Sequence, residues 1–107
     1  MANSFKNAKV DLTTTNATTL YTVPSATTTI VKSILVSEDS GNADTITVTL
    51  TNASSAVFSL FKVKAVTANT TIELLTAPLV VTESEIIKVT AATANRLHVV
   101  ASLLEVS

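Results

Sequence analysis

The sequence contains no cysteine and no tryptophan, and it has a single glycine and two prolines among 107 residues. Without cysteine, the chain has neither a disulfide framework nor a thiolate metal site. Charged residues make up 14% of the chain, against about 25% in an average globular protein. This shortage of charge indicates that part of the surface contacts other protein rather than water.

Long hydrophobic runs and clusters of one charge are also missing. Thr, Ser and Lys interrupt every apolar stretch, so no segment reaches the roughly 18 apolar residues that a membrane helix needs. The net charge is −1 and the basic residues are scattered, which disfavours a nucleic-acid-binding surface. The segment 1–10 lacks the apolar core of a signal peptide. We therefore expect neither a membrane nor a nucleic acid among the partners.

Alternating β-branched residues dominate what is present. In the segment 44–52, apolar residues occupy one side and threonines the other, a period of two that predicts a strand with one buried face. The apolar side is Ile46, Val48 and Leu50, and the opposite side is Thr45, Thr47, Thr49 and Thr51. The segment 28–37 is apolar in both phases. That pattern is typical of a central strand, or of one that something else covers.

Turn signals divide the chain into eight or nine short predicted strands, which indicates an antiparallel sandwich or barrel. With one glycine, the turns must use Asn, Asp and Ser, which tolerate left-handed angles or bond their own backbone; the asparagines at predicted turns are Asn16, Asn42, Asn52, Asn69 and Asn95. We expect an all-β fold, an antiparallel β-sandwich of about eight strands with either a jelly-roll or an Ig-like Greek-key topology. A C-terminal helix is a poorer interpretation, because the apolar residues of segment 91–104 form no stripe at a period of 3.6. The predicted strands are 10–15, 18–23, 28–37, 44–52, 56–66, 70–75, 79–81, 86–91 and 96–106.

Several connections carry more specific expectations. We expect the first two predicted strands to form a hairpin, and the third and fourth to form another around the only glycine, Gly41. A change of apolar phase between Phe58 and Phe61 predicts a β-bulge or a strand that changes sheet. The polar residues 1–9 are expected to form an N-terminal arm, followed by a single β-sandwich domain over residues 10–107.

Few side chains suit catalysis or metal binding. The only histidine, His98, lies in a predicted strand, and a general base also needs a nucleophile and an orienting group. The acidic residues Glu38, Asp39 and Asp44 flank a turn and offer oxygen ligands for Ca²⁺, but they lack a regular ligand spacing. Acidic residues at solvated loop tips are the simpler interpretation. We therefore predict no catalytic residue, no cofactor and no metal site, and hence no enzyme.

Subunit contacts are the remaining role for conspicuous residues. Apart from Met1, Phe5 is the only large apolar side chain before Val10, and it either anchors the arm on a neighbouring subunit or packs on its own domain. The threonine face is either a contact surface or an ordinary solvated sheet face. Lys62 and Lys64 share one phase of a strand, where they either protect an exposed edge or pair with acidic residues of a neighbour. The candidate contact residues are Phe5, Thr45, Thr47, Thr49 and Thr51.

The order of strands and turns resembles that of small β-sandwich virion proteins of tailed bacteriophages, including cyanophages. The similarity covers residues 18–107, and it departs from the family at Ser25-Ala26, where Ala-Gly is common, and at Glu83–Glu85, where a turn with glycine is common. The segments that carry it are Leu20–Pro24, Thr29–Val36, Ser40–Val48, Ile72–Leu75, Pro78–Val81, Ile86–Val89 and Leu97–Val106.

This resemblance implies a structural role in a virus particle. The first expectation is a capsid decoration or cement protein that is made in the host cytoplasm, joins the virion and binds other virion proteins such as the major capsid protein. It would act as a homo-oligomer, with a trimer as one arrangement. The alternative in the same class is a neck, tail, baseplate or fibre adaptor. A carbohydrate-binding module is the rival from another class, although aromatic residues, on which sugars stack, are only 4% of the chain.

Overall fold

The computed structural model describes residues 3–107, and this part of the chain forms nine β-strands and no helix. Most strands alternate between buried and exposed side chains, as their β-branched sequences predict. The strands are β1 (Asn3–Asp11), β2 (Thr18–Thr22), β3 (Thr28–Glu38), β4 (Asp44–Thr51), β5 (Val57–Val66), β6 (Thr71–Glu73), β7 (Leu79–Val81), β8 (Ile86–Ala91) and β9 (Leu97–Val106).

The strands form two antiparallel sheets that pack face to face. Sheet A has the order β1-β9-β3, with β6 and β7 both paired to the far side of β3, and sheet B has the order β2-β8-β4-β5. Because β6 and β7 pair with opposite ends of β3, they form one interrupted edge strand. With that pair counted as one, the strand order is that of a jelly roll. The predicted antiparallel sandwich is therefore confirmed, with the first of its two expected topologies.

Both predicted hairpins are wrong, because the chain changes sheet at these connections. β1 pairs with β9 while β2 pairs with β8, and β3 lies in sheet A while β4 lies in sheet B. Turn residues signal a reversal of the chain but do not specify whether the next strand pairs or crosses over. The connection after β1 crosses with Leu12 fully buried. Of the predicted neighbours, β4 and β5 do form a hairpin.

The expected N-terminal arm differs from the structure. Residues 3–9 belong to β1, which pairs with β9 along its whole length, and the two residues before them lie outside the described part. β9 offers ten residues of strand edge, and Ala8 and Val10 pack against the core. The polar composition of the segment concealed a strand with only a short apolar side.

The core lies between the two sheets. Its buried side chains come from the inner faces of both sheets and from Leu12 and Val23 in the connections. Its largest fully buried apolar members are Leu12, Ile34, Ile46, Ile87, Leu97 and Leu103.

The turns need only one glycine because other residues adopt the left-handed backbone angles that tight turns require. Gly41 has φ of 84°, and Asn69 and Asn95 have φ of 57° and 67°, as the abundance of Asn predicts. Asn52 works differently: its Oδ1 accepts hydrogen bonds from the N–H groups of Ser54 and Ala56, at 3.0 and 2.9 Å.

The predicted bulge is confirmed in the β4–β5 hairpin, where the register shifts on both sides of Val48. Opposite it, Val63 has φ of 52°, a value that is strained for a β-branched residue. The Val63 N–H donates to Oγ1 of Thr47 at 3.1 Å. The bulge interrupts the regular ladder on edge strand β5, and Lys62 and Lys64 flank it, an arrangement that discourages pairing with another chain.

Relief of this strain is testable. We expect Val63→Asn to raise the free energy of unfolding by about 1 kcal/mol, because Asn tolerates positive φ and the valine side chain is 60% exposed, so little burial is lost. The measurement is urea unfolding. The control is Val57→Asn, in the same strand at 64% exposure and with ordinary φ, which should be slightly destabilising. Equal destabilisation by both substitutions would show that Val63 is not strained.

Candidate interaction surface

Apolar side chains on the outer face of sheet A lie in two cross-strand rows, which the polar row of Asn7, Ser102 and Ser33 separates. Cross-strand register aligns Phe5, Leu104, Ile30 and Val80 in one row. A second row contains Val100 and Leu35, with Lys9 at one edge and Glu73 at the other. Phe5 is 76% and Val80 57% exposed. We call this surface the sheet A face, defined by Phe5, Ile30, Leu35, Val80, Val100 and Leu104.

This surface follows from the double apolar phase of β3 and β9. In β9, alternate residues such as Val99 and Leu103 fill the core, while Val100 and Leu104 point to the other side. In β3 a register shift at Lys32 changes the phase, so that Val31 and Ile34 both face inward. Exposed apolar side chains on several neighbouring strands are common at interaction sites.

A polar cluster holds the edge of the surface in place. Lys6 of β1 forms an ion pair with Glu105 of β9, with Nζ and Oε1 2.9 Å apart. Tyr21 of sheet B donates to Oε2 of Glu105 at 2.5 Å, and its hydroxyl lies 2.8 Å from Oγ1 of Thr29. Burial of the Tyr21 ring and its bond to Glu105 raise its pKa to about 12. The cluster joins the two sheets and fixes β1, which presents Phe5.

The two charged edges of the second row differ in their surroundings. The Lys9 ammonium is exposed and has one weak contact, with Oδ1 of Asn7 at 3.4 Å. Glu73 accepts hydrogen bonds from the hydroxyl of Ser33 and from the N–H groups of Ile34 and Leu75. Burial raises the pKa of Glu73, but these hydrogen bonds outweigh it and the pKa is lowered overall. The carboxylate therefore stays charged where β6 gives way to β7.

The threonine face lies on the opposite side of the molecule. Thr45, Thr47, Thr49 and Thr51 are half-buried on the outer face of sheet B. The hydroxyl of Thr47 is engaged by Val63 in the bulge. The structure thus separates the threonines from Phe5, so the predicted contact residues form two surfaces, one on each sheet. Their role as contacts stays a prediction.

The acidic residues considered as Ca²⁺ ligands have other partners: Glu38 and Asp44 accept hydrogen bonds from the backbone, and Asp39 lies beside His98. Glu38 is buried and accepts from the N–H groups of Ser40, Gly41 and Asn69 and from the Ser40 hydroxyl. Burial raises the pKa of Glu38, but these donors outweigh it and lower the pKa to about 2. Asp44 accepts from the N–H groups of Thr45 and Thr93 at 2.8 and 3.1 Å.

His98 lies on the outer face of sheet A, between two carboxylates. Its Nε2 is 3.2 Å from Oδ1 of Asp11, and its Nδ1 is 3.6 Å from Oδ2 of Asp39. Within residues 3–107, no three His, Asp or Glu side chains come together as a metal site would require. No helix in the described part is long and apolar enough to cross a membrane.

Sequence reasoning missed five of the six residues of the sheet A face. Only Phe5 was a candidate, because its neighbours in sequence are polar. The signal for the others was the second apolar phase of the third and last predicted strands, which indicates a covered strand but not the side on which the cover lies. The missed residues are Ile30, Leu35, Val80, Val100 and Leu104.

No protein-family model matches this sequence, and no curated protein matches it significantly.

The Glu38 contacts predict a specific loss of stability in acid. A folded-state pKa of about 2, below the ordinary value of 4.5, gives stability that is present above pH 4.5 and is lost as the pH falls towards 2. We expect Glu38→Gln to lower the urea midpoint at pH 7, because the amide offers one acceptor oxygen and a donor that faces other donors. Between pH 4.5 and 2, the variant should lose less stability than the wild type.

The control for this comparison is Asp39→Asn, one residue away on an exposed side chain. It should unfold close to the wild type at pH 7 and keep the wild-type acid response. A parallel pH dependence of wild type and Glu38→Gln would contradict the assigned role of Glu38.

Proposed function

We propose that this chain is a non-enzymatic structural protein of a bacteriophage particle, in which it decorates the capsid and cements its subunits. The observation that carries the proposal is the sheet A face, whose apolar side chains lie on β1, β9, β3 and β7. The resemblance of residues 18–107 to phage virion proteins supports the same role. A jelly roll is compatible with it, since viral capsid proteins use this fold, but lectin domains do too, so the fold alone does not select the function.

The mechanism requires only the burial of surface between subunits. Each 100 Å² of apolar surface removed from water contributes on the order of 2–3 kcal/mol before the costs of association. Repeated around a shell, such contacts oppose the separation of capsid subunits under internal pressure. The charged fraction of 14% fits this role, because the centres of interfaces are depleted of charge.

A cement protein needs a surface for its own copies and a surface for the shell. The molecule has two outer faces of different chemistry, one apolar and one rich in hydroxyls. Thr45, Thr49 and Thr51 present methyl and hydroxyl groups on a flat central strand, where they can pack on and hydrogen-bond to another protein. We assign the threonine face to the contact with another virion protein, the major capsid protein in the first instance.

Binding to capsids assembled without this chain tests the function. The wild type should saturate them at a fixed ratio and raise their melting temperature. Thr49→Glu should weaken binding about tenfold or more, because it buries a carboxylate at the contact. Since Thr49 pairs with Lys88 across the strands, the new charge has a partner in the free protein and the fold is preserved. Thr67→Glu, in an exposed loop, is the control and should bind as the wild type does.

Failure of the wild type to bind such capsids would contradict a decoration role. Binding to isolated neck, tail or baseplate fractions instead would move the protein to the adaptor role. Unchanged binding by Thr49→Glu would show that the threonine face is not the surface used.

A further inference from the structure

We propose that the sheet A face binds a second copy of this chain, related by a two-fold axis that runs parallel to the strands between β3 and β9. The inference deepens the proposed function, since it names the partner of one of the two surfaces of the structural subunit. It concerns the free protein, so it is tested without capsids.

The size of the surface suits a weak dimer. Four strand positions at about 4.8 Å spacing and ten residues at about 3.3 Å give the whole outer surface of sheet A an area of about 600 Å², of which the apolar rows occupy the part between Val100 and Leu104 on β9. Two such faces bury about 1,200 Å² in total, at the lower end of specific interfaces. Sheets that pack face to face in this way lie about 10 Å apart with their strands nearly aligned.

Two directions of the axis keep the strands of the two copies aligned. A two-fold axis that runs across the strands places each edge strand on its own copy, and an axis of this kind through the second row places Lys9 opposite Lys9 of the second copy. An axis parallel to the strands exchanges the edges, so β1 lies over β6 and β7 of the second copy. Phe5 then faces Val80, and Val100 faces Leu35, so the apolar members of each row face apolar members of the same row.

Charge selects the second arrangement. Lys9 and Glu73 occupy the two ends of one cross-strand row, so the parallel axis places each lysine opposite Glu73 of the second copy. Two identical ion pairs then close the two sides of the apolar centre. In the third row, Asp11 comes opposite Thr71 of the second copy and His98 comes opposite Ser37, so no like charges face each other there.

One further cation, Lys32, belongs to β3, beside the proposed axis. Its ammonium lies on the far side of β9, 5.6 Å from the centroid of the Phe5 ring, within range of a cation–π interaction. The charge therefore lies towards β1, away from the axis. The centre of the face consists of Val100, Leu35, Ile30 and Leu104 with the uncharged Ser33 and Ser102 between them.

Sedimentation equilibrium of the full chain is the first test. The wild type should form a dimer with a dissociation constant in the micromolar range. Val100→Glu should raise that constant about a hundredfold, because it places a carboxylate at the centre of the interface. Its cross-strand neighbour Lys9 balances the charge in the monomer. The matched control is Thr49→Glu, which also adds a carboxylate beside a lysine but on sheet B, and it should dimerise as the wild type does.

Lys9→Gln tests the direction of the axis. In the proposed dimer it removes two attractions to Glu73, so it should raise the dissociation constant about three- to tenfold at low salt. It should also remove most of the weakening by NaCl that the wild type shows. Around the other axis it would remove a repulsion and lower the constant.

Three results would overturn the inference. The first is a wild type that stays monomeric at about 0.5 mM, well above a micromolar dissociation constant. The second is equal dimerisation of Val100→Glu and the wild type, with both proteins folded by circular dichroism. The third is tighter dimerisation of Lys9→Gln than of the wild type. A monomer that still saturates capsids would refute this inference alone. A dimer that ignores capsids and the other virion fractions would refute the proposed function alone.

Discussion

The antiparallel pairing of β3 with β9 is the constraint on which the rest of the structure depends. These strands lie at residues 28–38 and 97–106, so the pair closes a long loop, residues 39–96, that contains more than half of the chain. Every other strand of sheet A attaches to one of them. Their inner side chains form the wall of the core, and their outer side chains form the middle of the sheet A face. A shift of one residue would exchange the two sets, so fold and surface are specified together.

Buried carboxylates mark the two ends of this pair. Glu38 ends β3 and organises the loops at residues 40–41 and 69, while Glu105 lies near the end of β9 and joins Lys6 and Tyr21. The apolar residues lie between them, in the middle of the strands. Each carboxylate binds donors from separate parts of the chain. Glu38 joins two loops to the end of β3, and Glu105 joins β1 and β2 to the end of β9. The molecule presents two outer faces of different chemistry, the sheet A face and the threonine face.

The sequence predicted the features that depend on neighbouring residues, and it did not predict those that depend on contacts between distant segments. The period of two in segment 44–52, the bulge near Phe61 and the left-handed Asn69 and Asn95 are local properties, and each was predictable. The pairing partners were not, because turn residues are the same whether a strand returns to its own sheet or crosses to the other. The bulge at Lys32 also left no local mark, although it decides that Ile34 faces inward and Leu35 outward. The sheet A face was therefore visible only as an excess of apolar residues without a direction.

The proposed dimer buries the sheet A face. Carbene footprinting of the wild-type chain over a range of concentrations tests this burial most directly, because the label reports exposure residue by residue. We expect labelling of Val80, Val100 and Leu104 to fall together as the protein is concentrated, while labelling of Val57 and Phe58 on β5 stays constant. Labelling of the sheet A face that does not change at any concentration would contradict it.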